Sequence, residues 1–475
     1  MTLGIRLLGS WGSRLATESG IRTILQSCRN TKILCLQRFV RLFAYGASFL
    51  VLAHFLSGLG LSDDRIGLFM TLTLLGDAVV SSLLTVVTDQ VGRRWILSFG
   101  AVLMAASGFI FSVTKNYWLL LVASVFGVIS PSGSEIGPFR AVEESILAQL
   151  TAKEDRSDVF AWYTLFGTAG AALGALTSGL LVQTLEGREG WDTNRAYRAV
   201  FVVYGALGAA KLLLVLSLSS GVELGGVRGQ YQPVPAEPSG GAAVSYGAVD
   251  EGQRAQEADE GDLDPKPSLI QRFSSLLPHI SPTSRSILYR LLLLFTLDSF
   301  ASGMASQGWL TYFFTTVHSL TPATLGTLFF ITNILGSLSA LFALPIARRI
   351  GLIKTMVFTH LPSTVFLTLT ALPPATAAGT WVAMAFLSLG ACTKSMDQAP
   401  RQAFLSAAVL PGERTAVLGV VNVVKTLAQS GGLGATGVLS SKGLWIVALG
   451  GAGAMKATYD LLMLWLFLHL PDREQ

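Results

Sequence analysis

Long apolar runs alternate with short polar turns along nearly the whole chain. They cover residues 33–59, 66–87, 96–113, 117–134, 159–185 and 199–218, and then 291–314, 323–346, 353–372, 380–392, a glycine-rich run behind Arg414, and 444–468. Runs of 18 or more apolar residues are long enough for a helix to cross about 30 Å of hydrocarbon. The pattern predicts twelve membrane-spanning helices in two groups of six. Between the groups, residues 221–286 have a different character. Positions 230–267 are rich in Gly, Pro and Ala, with Glu251, Glu257, Asp259, Glu260, Asp262 and Asp264 clustered. Such a segment cannot bury enough apolar surface to fold alone, so a disordered cytoplasmic linker is expected. Its end, 269–290, sets Arg272, Arg285 and Arg290 among leucines and isoleucines, which suits a helix lying on the membrane surface. The expected order is a basic tail (1–32), a six-helix half (33–220), the linker (221–286), a second six-helix half (287–470) and a short tail (471–475).

The pattern is interrupted twice in the same way. The fourth run passes into Ser130-Pro131-Ser132-Gly133-Ser134-Glu135-Ile136-Gly137-Pro138-Phe139-Arg140, with Glu143 and Glu144 behind it. Proline removes a backbone donor and glycine loosens the helix, so a break or bend is predicted there. Irregular backbone at membrane depth survives only where it is buried in protein or lines a wet cavity. About half a chain later, Asp397-Gln398-Ala399-Pro400-Arg401 repeats the order acid, two residues, proline, arginine. A second echo fixes a ruler. Arg156 and Arg414 precede glycine-rich runs by equal distances, so Gly174 aligns with Gly432, Gly179 with Gly437, and Gly167 with Lys425. Duplication of one six-helix unit explains both echoes.

Charges inside the runs mark candidate chemistry, because an ionisable group within the bilayer is expensive and turns to the bundle interior or a wet cavity. Asp77 lies near the middle of the second run, Asp298 in the seventh, and Lys425 in the eleventh, one turn beyond Asn422. These four are the candidate substrate or proton cavity. Each charge has a plainer reading as a packing partner on a neighbouring helix. Arg38 and Arg41 lie three apart on one face of the first helix; they either snorkel to the headgroups or line the inner mouth of a cavity. With Glu135, Arg140, Asp397 and Arg401 they form the expected cytoplasmic charge network.

Composition agrees with the pattern. Of 475 residues, 51% are hydrophobic and 13% charged, about half the charged share of a soluble domain, and the mean hydropathy is +0.55. The net charge of +5 reflects basic loops, not nucleic-acid binding. Arg93, Arg94, Lys153, Arg156, Arg348, Arg349, Lys354 and Arg414 follow even-numbered runs, which places those loops and both termini in the cytoplasm. The tail carries five basic residues against Glu18; it reads as a topology-fixing cytosolic tail or as a mitochondrial presequence. Cys28, Cys35 and Cys392 offer neither a disulfide framework nor metal spacing. The five histidines are scattered, and neither a Walker-type loop nor a Gly-x-Ser-x-Gly elbow is present. No cofactor, no metal and no enzyme activity are expected.

The turn Thr88-Asp89-Gln90-Val91-Gly92-Arg93-Arg94 resembles the signature loop of the major facilitator superfamily, Gly-x-x-x-Asp-Arg-x-Gly-Arg-Arg, between its second and third helices. Asp89, Gly92, Arg93 and Arg94 match it; Thr85 and Gln90 depart from it. Ala347-Arg348-Arg349-Ile350-Gly351 is a degenerate second copy without the aspartate. The resemblance implies an all-α twelve-helix fold and a monomer, and that Asp89 latches the first half to the start of the eleventh helix. Family antiporters carry a Gly-Pro pair in the fifth helix, which this chain lacks. The expectation is a secondary carrier of a small organic solute, coupled to protons through Asp77 or Asp298, in the plasma membrane or an organelle membrane. A transporter-shaped receptor or scaffold acting through the acidic linker is the alternative.

Overall fold

A computed structural model describes residues 20–127, 129–131, 138–223, 282–408 and 414–467. Among the described residues the secondary structure is helical throughout. The first half comprises α1 (Ile21–Gln26), α2 (Arg29–Gly58), α3 (Asp63–Val91), α4 (Arg93–Val113), α5 (Tyr117–Phe126), α6 (Pro138–Leu150), α7 (Arg156–Glu186) and α8 (Thr193–Leu216). The second comprises α9 (Pro282–Met304), α10 (Gln307–Thr316), α11 (Pro322–Ile350), α12 (Leu352–Thr370), α13 (Ala377–Lys394), α14 (Gln398–Ala408), α15 (Arg414–Ser441) and α16 (Gly451–Phe467), the last entered through a π-helical turn, Ile446–Gly450. These make twelve spans in two six-helix repeats, with the fourth, seventh and tenth spans each broken into two helices.

The breaks follow the chemistry of the chain. The fourth span stops at Gly127, and α6 restarts at Pro138, where a missing amide donor costs nothing because the first turn has no acceptor for it. The tenth breaks between Lys394 and Gln398. Two boundaries differ from the sequence expectation. Helix α9 begins at Pro282, inside the predicted linker, and the seventh span is interrupted at Ser306, whose hydroxyl accepts from the Trp309 amide and starts α10. A single serine can cap a helix within an apolar run, and hydropathy does not register it. The first bundle helix also starts earlier, at Arg29, and α1 before it is tied to α7 by Thr23 donating to Asp158 at 2.9 Å. The tail residues ahead of 20, the acidic linker and Glu135 lie outside the described residues.

The duplication inferred from the glycine ruler is visible in the packing. A Cβ on Gly174 would fall 2.0 Å from the Phe43 carbonyl oxygen of α2, and one on Gly432 would fall 2.0 Å from the Phe300 carbonyl oxygen of α9. Each glycine therefore lets the fifth or eleventh span touch the first helix of its own half backbone to backbone. The next pair on the ruler joins the halves. Gly179 lies against the Pro322 carbonyl of α11, and Gly437 against Gly67 of α3. The two signature turns also match: Gly92 and Gly351 both have positive φ, 102° and 86°, a region open to glycine.

The halves are tied together at one end of the bundle. Thr71 donates to the Ser430 carbonyl (2.8 Å) and the Ala323 amide donates to Gln183 Oε1 (3.0 Å). Asp63 accepts from Tyr312 (2.7 Å) and Ser440 (2.5 Å), both across the divide. Toward the signature turns the helices part. The face of α15 that meets α3 at Ser430, Gly434 and Gly437 is bare at Leu427 and Val423, 54% and 55% exposed. Asp63 is thus a latch for the closed end, since a hydrogen bond to a charged group contributes about 1.5–3 kcal/mol. Asp63→Ala is expected to raise the population open at that end roughly tenfold. Labelling of a Thr71→Cys reporter by an impermeant thiol reagent, in a cysteine-free background, checks this; an unchanged rate would show that Asp63 does not hold the end shut.

Candidate functional site

Each half holds a buried charge cluster near its broken span. In the first half Arg41, on α2, donates from both terminal nitrogens to Glu143 of α6, at 2.9 and 2.8 Å. Tyr163 of α7 donates to the same carboxylate at 2.5 Å. Arg41, Glu143 and Tyr163 are all buried, and the Arg38 guanidinium lies 4.1 Å from the centre of the Tyr163 ring. Gly167 makes room for it, because a Cβ there would fall 2.5 Å from Arg38 Nε. Arg38 and Arg41 therefore turn into the bundle, which decides against the snorkelling alternative.

In the second half Asp298 of α9 receives Arg401 Nη1 of α14 at 2.7 Å on one oxygen and Lys456 Nζ of α16 at 2.7 Å on the other. Lys456 also donates to Ser302 at 2.6 Å, and Arg401 Nη2 pairs with Asp397. The guanidinium of Arg401 sits between the Phe295 and Tyr459 rings, 5.7 and 5.2 Å from their centres. His360 of α12 faces Asp460 of α16 at 2.9 Å. Lys425 lies over the Phe295 ring at 5.5 Å, half-buried, with Asn422 exposed one turn earlier.

The glycine ruler lays Glu143 opposite Arg401 and Arg41 one residue from Asp298. The first and fourth spans thus meet through an ion pair, as do the seventh and tenth, with the charges exchanged between helices. Arg38 opposite Gly167 becomes Phe295 under Lys425 in the same manner. The repeat keeps the contact and inverts its polarity.

The predicted residues are therefore distributed over separate places. Arg38 and Arg41 belong to the first-half cluster; Asp397, Arg401, Asp298 and Lys425 belong to the second. Arg140 is exposed and forms an i,i+4 pair with Glu144 at 2.6 Å. Asp77 is buried between the second span and its neighbours within the first half: Thr73, one turn before it, bonds Ser124 of α5, and Tyr204 of α8 bonds the Gly127 carbonyl at the helix break. One Asp77 oxygen, Oδ1, has no hydrogen-bond partner. In the signature loop, Asp89 lies in the last turn of α3 and its side chain is outside the described residues. Gly92 makes the turn, and the amides of Arg93 and Arg94 both donate to Glu223, at 2.8 and 3.0 Å. Glu223 thereby places a carboxylate at the N-terminus of α4, where the helix dipole favours it. Arg93 donates to Gln149 at 2.6 Å and Arg94 to the Leu216 carbonyl at 3.2 Å, so both arginines are anchored within the first half.

Sequence reasoning passed over Lys456, Asp460, His360 and the role of Glu143. The cost argument that selected Asp77 applies equally to Lys456 and Asp460, four residues apart in the last apolar run, and would have found them. His360 carries no such signal, because its partner lies 100 residues away.

A family model of the Major Facilitator Superfamily matches residues 34–433. The uncharacterized membrane protein YJR124C of Saccharomyces cerevisiae is 34% identical over 445 residues, covering 93% of this chain and 94% of that protein. Among solved structures, the nucleoside transporter NupG superposes with a TM-score of 0.61 at 14% identity, over 93% of this chain and 99% of its own. A bacterial homologue of the iron transporter ferroportin, in an inward-facing state, gives 0.64 at 13%, over 92% and 98%. With a match spanning both six-helix halves and a signature turn built as the repeat requires, the chain is an integral membrane protein that belongs to the Major Facilitator Superfamily of transporters.

Proposed function

We propose that the protein is a secondary carrier of a small organic solute, working as a monomer by rocking its two halves about the charge clusters of the broken spans. The observation that carries this reading is the asymmetry of contact. The halves are latched at the Asp63 end and parted at the signature turns, while the second-half cluster lies toward the parted end. By the positive-inside rule the signature turns and both termini are cytoplasmic, so the conformation is inward-open, with the acidic linker joining the halves on that side.

Proton coupling is assigned to Asp77. Asp298 is engaged on both oxygens by cations, whereas Asp77 keeps a buried acceptor without a partner. In proteoliposomes with an imposed pH gradient, Asp77→Asn is expected to abolish the gradient dependence of flux while leaving downhill exchange measurable. A pH dependence that survives both Asp77→Asn and Asp298→Asn would remove the proton from the cycle.

A further inference from the structure

We propose that the pocket formed by α9, α13, α14, α15 and α16 takes an organic anion, a solute carrying a carboxylate or phosphate, held by Lys394 and Lys425. The proposal rests on the carrier reading and names the solute class for the same site. The argument is one of unbalanced charge. Four cations converge here, Lys394, Arg401, Lys425 and Lys456, with two carboxylates among them, Asp298 and Asp397. Arg401 pairs with both carboxylates, and Lys456 takes the remaining oxygen of Asp298. Asp460, the next acid, is turned to His360. The acids are therefore used up.

Lys425 and Lys394 make no ion pair among the described residues. Lys394 is exposed and Lys425 half-buried, so both remain reachable from the parted end. Two lysines held near two other cations repel one another and gain only from an incoming negative charge. A neutral solute would leave the repulsion in place, and a cation would add to it. A charge-assisted bond from each lysine suits a carboxylate or phosphate. The rings of Phe295 and Tyr459, 6.2 Å apart at 37°, offer an apolar wall for the body of the solute. That wall favours an organic anion over a bare inorganic one.

The test uses the full chain in proteoliposomes with matched probes: succinate, uncharged succinamide and cationic putrescine, and glucose 6-phosphate beside glucose. Anions are expected to move at least about tenfold faster than their neutral partners, equivalent to about 1.4 kcal/mol. Lys394→Gln and Lys425→Gln should each weaken succinate binding about tenfold, the worth of one such contact. Lys425→Arg, which keeps the charge, should retain binding and so separates lost charge from lost fold. Faster flux of succinamide or putrescine, or anion flux unchanged in the doubly substituted chain, overturns the anion site and leaves the carrier standing. A folded protein that moves no probe, yet is thermally stabilised by succinate only when both lysines are present, keeps the anion site and overturns the carrier.

Discussion

Glu143→Ala is expected to leave the first six-helix half unable to hold together. The Arg41 guanidinium, 1% exposed, would lose both bonds to its carboxylate partner, and the Tyr163 hydroxyl would lose its acceptor. Breaking a buried ion pair by removing one member costs about 3–5 kcal/mol, because the remaining charge stays buried without compensation. That is a large part of the stability of most folded domains. The expected result is loss of monodisperse protein in mild detergent, with Arg41→Ala equally damaging. Arg41→Met combined with Glu143→Leu should recover most of the loss, since paired apolar replacements are often neutral. The two single variants and the double variant close a cycle that isolates the pair. Wild-type stability in Glu143→Ala would mean that packing, and not the pair, ties α2 to α6.

Asp298→Asn is expected to have the largest effect on transport. It preserves shape but strips the charge shared by Arg401 and Lys456, 2.7 Å from each. The pocket then holds four cations against Asp397, and the two largest buried cations are left partly uncompensated, again a matter of about 3–5 kcal/mol. Flux should fall to background, with partial return in Asp298→Glu. Removing the pair together, as Asp298→Leu with Lys456→Met, is expected to restore folded yield without restoring flux. Full flux in that double variant would assign the cluster to folding alone. Charge exchange to the first-half arrangement, Asp298→Arg with Arg401→Glu, is expected to fail as well. Asp397 and Lys456 are fixed around the existing polarity and would face like charges.

Much of this architecture was legible in the chain. The broken fourth and tenth spans were written in Pro131, Pro138 and Pro400 and in the repeated acid-proline-arginine order. The Gly174–Gly432 and Gly179–Gly437 alignment foretold equivalent helix contacts, and the structure places all four at backbone approaches. Gly92 was legible for the same reason: a tight turn between two long helices demands positive φ, and the structure gives 102°. The seventh span was misread as continuous because Ser306 is one polar residue in an apolar run. Arg140 was grouped with Arg41 because sequence proximity to the break does not tell which face of α6 a side chain occupies. One turn of helix separates Arg140, exposed, from Glu143, fully buried.

The sequence by itself determined the class, the span count, the two repeats and the list of expensive charges. A bilayer forces each crossing segment to satisfy its own backbone and to be apolar along its length, so those facts are local and survive in one dimension. The tertiary structure alone decided which charge meets which. Arg41 finds Glu143 across 102 residues, Arg401 finds Asp298 across 103, and Lys456 finds Asp298 across 158. Such pairings depend on the rotation of each helix about its axis, which packing against neighbours sets and hydropathy does not. Which end of the bundle is latched is likewise a property of the contact between the halves, made by Asp63 with Tyr312 and Ser440, and no single span carries it.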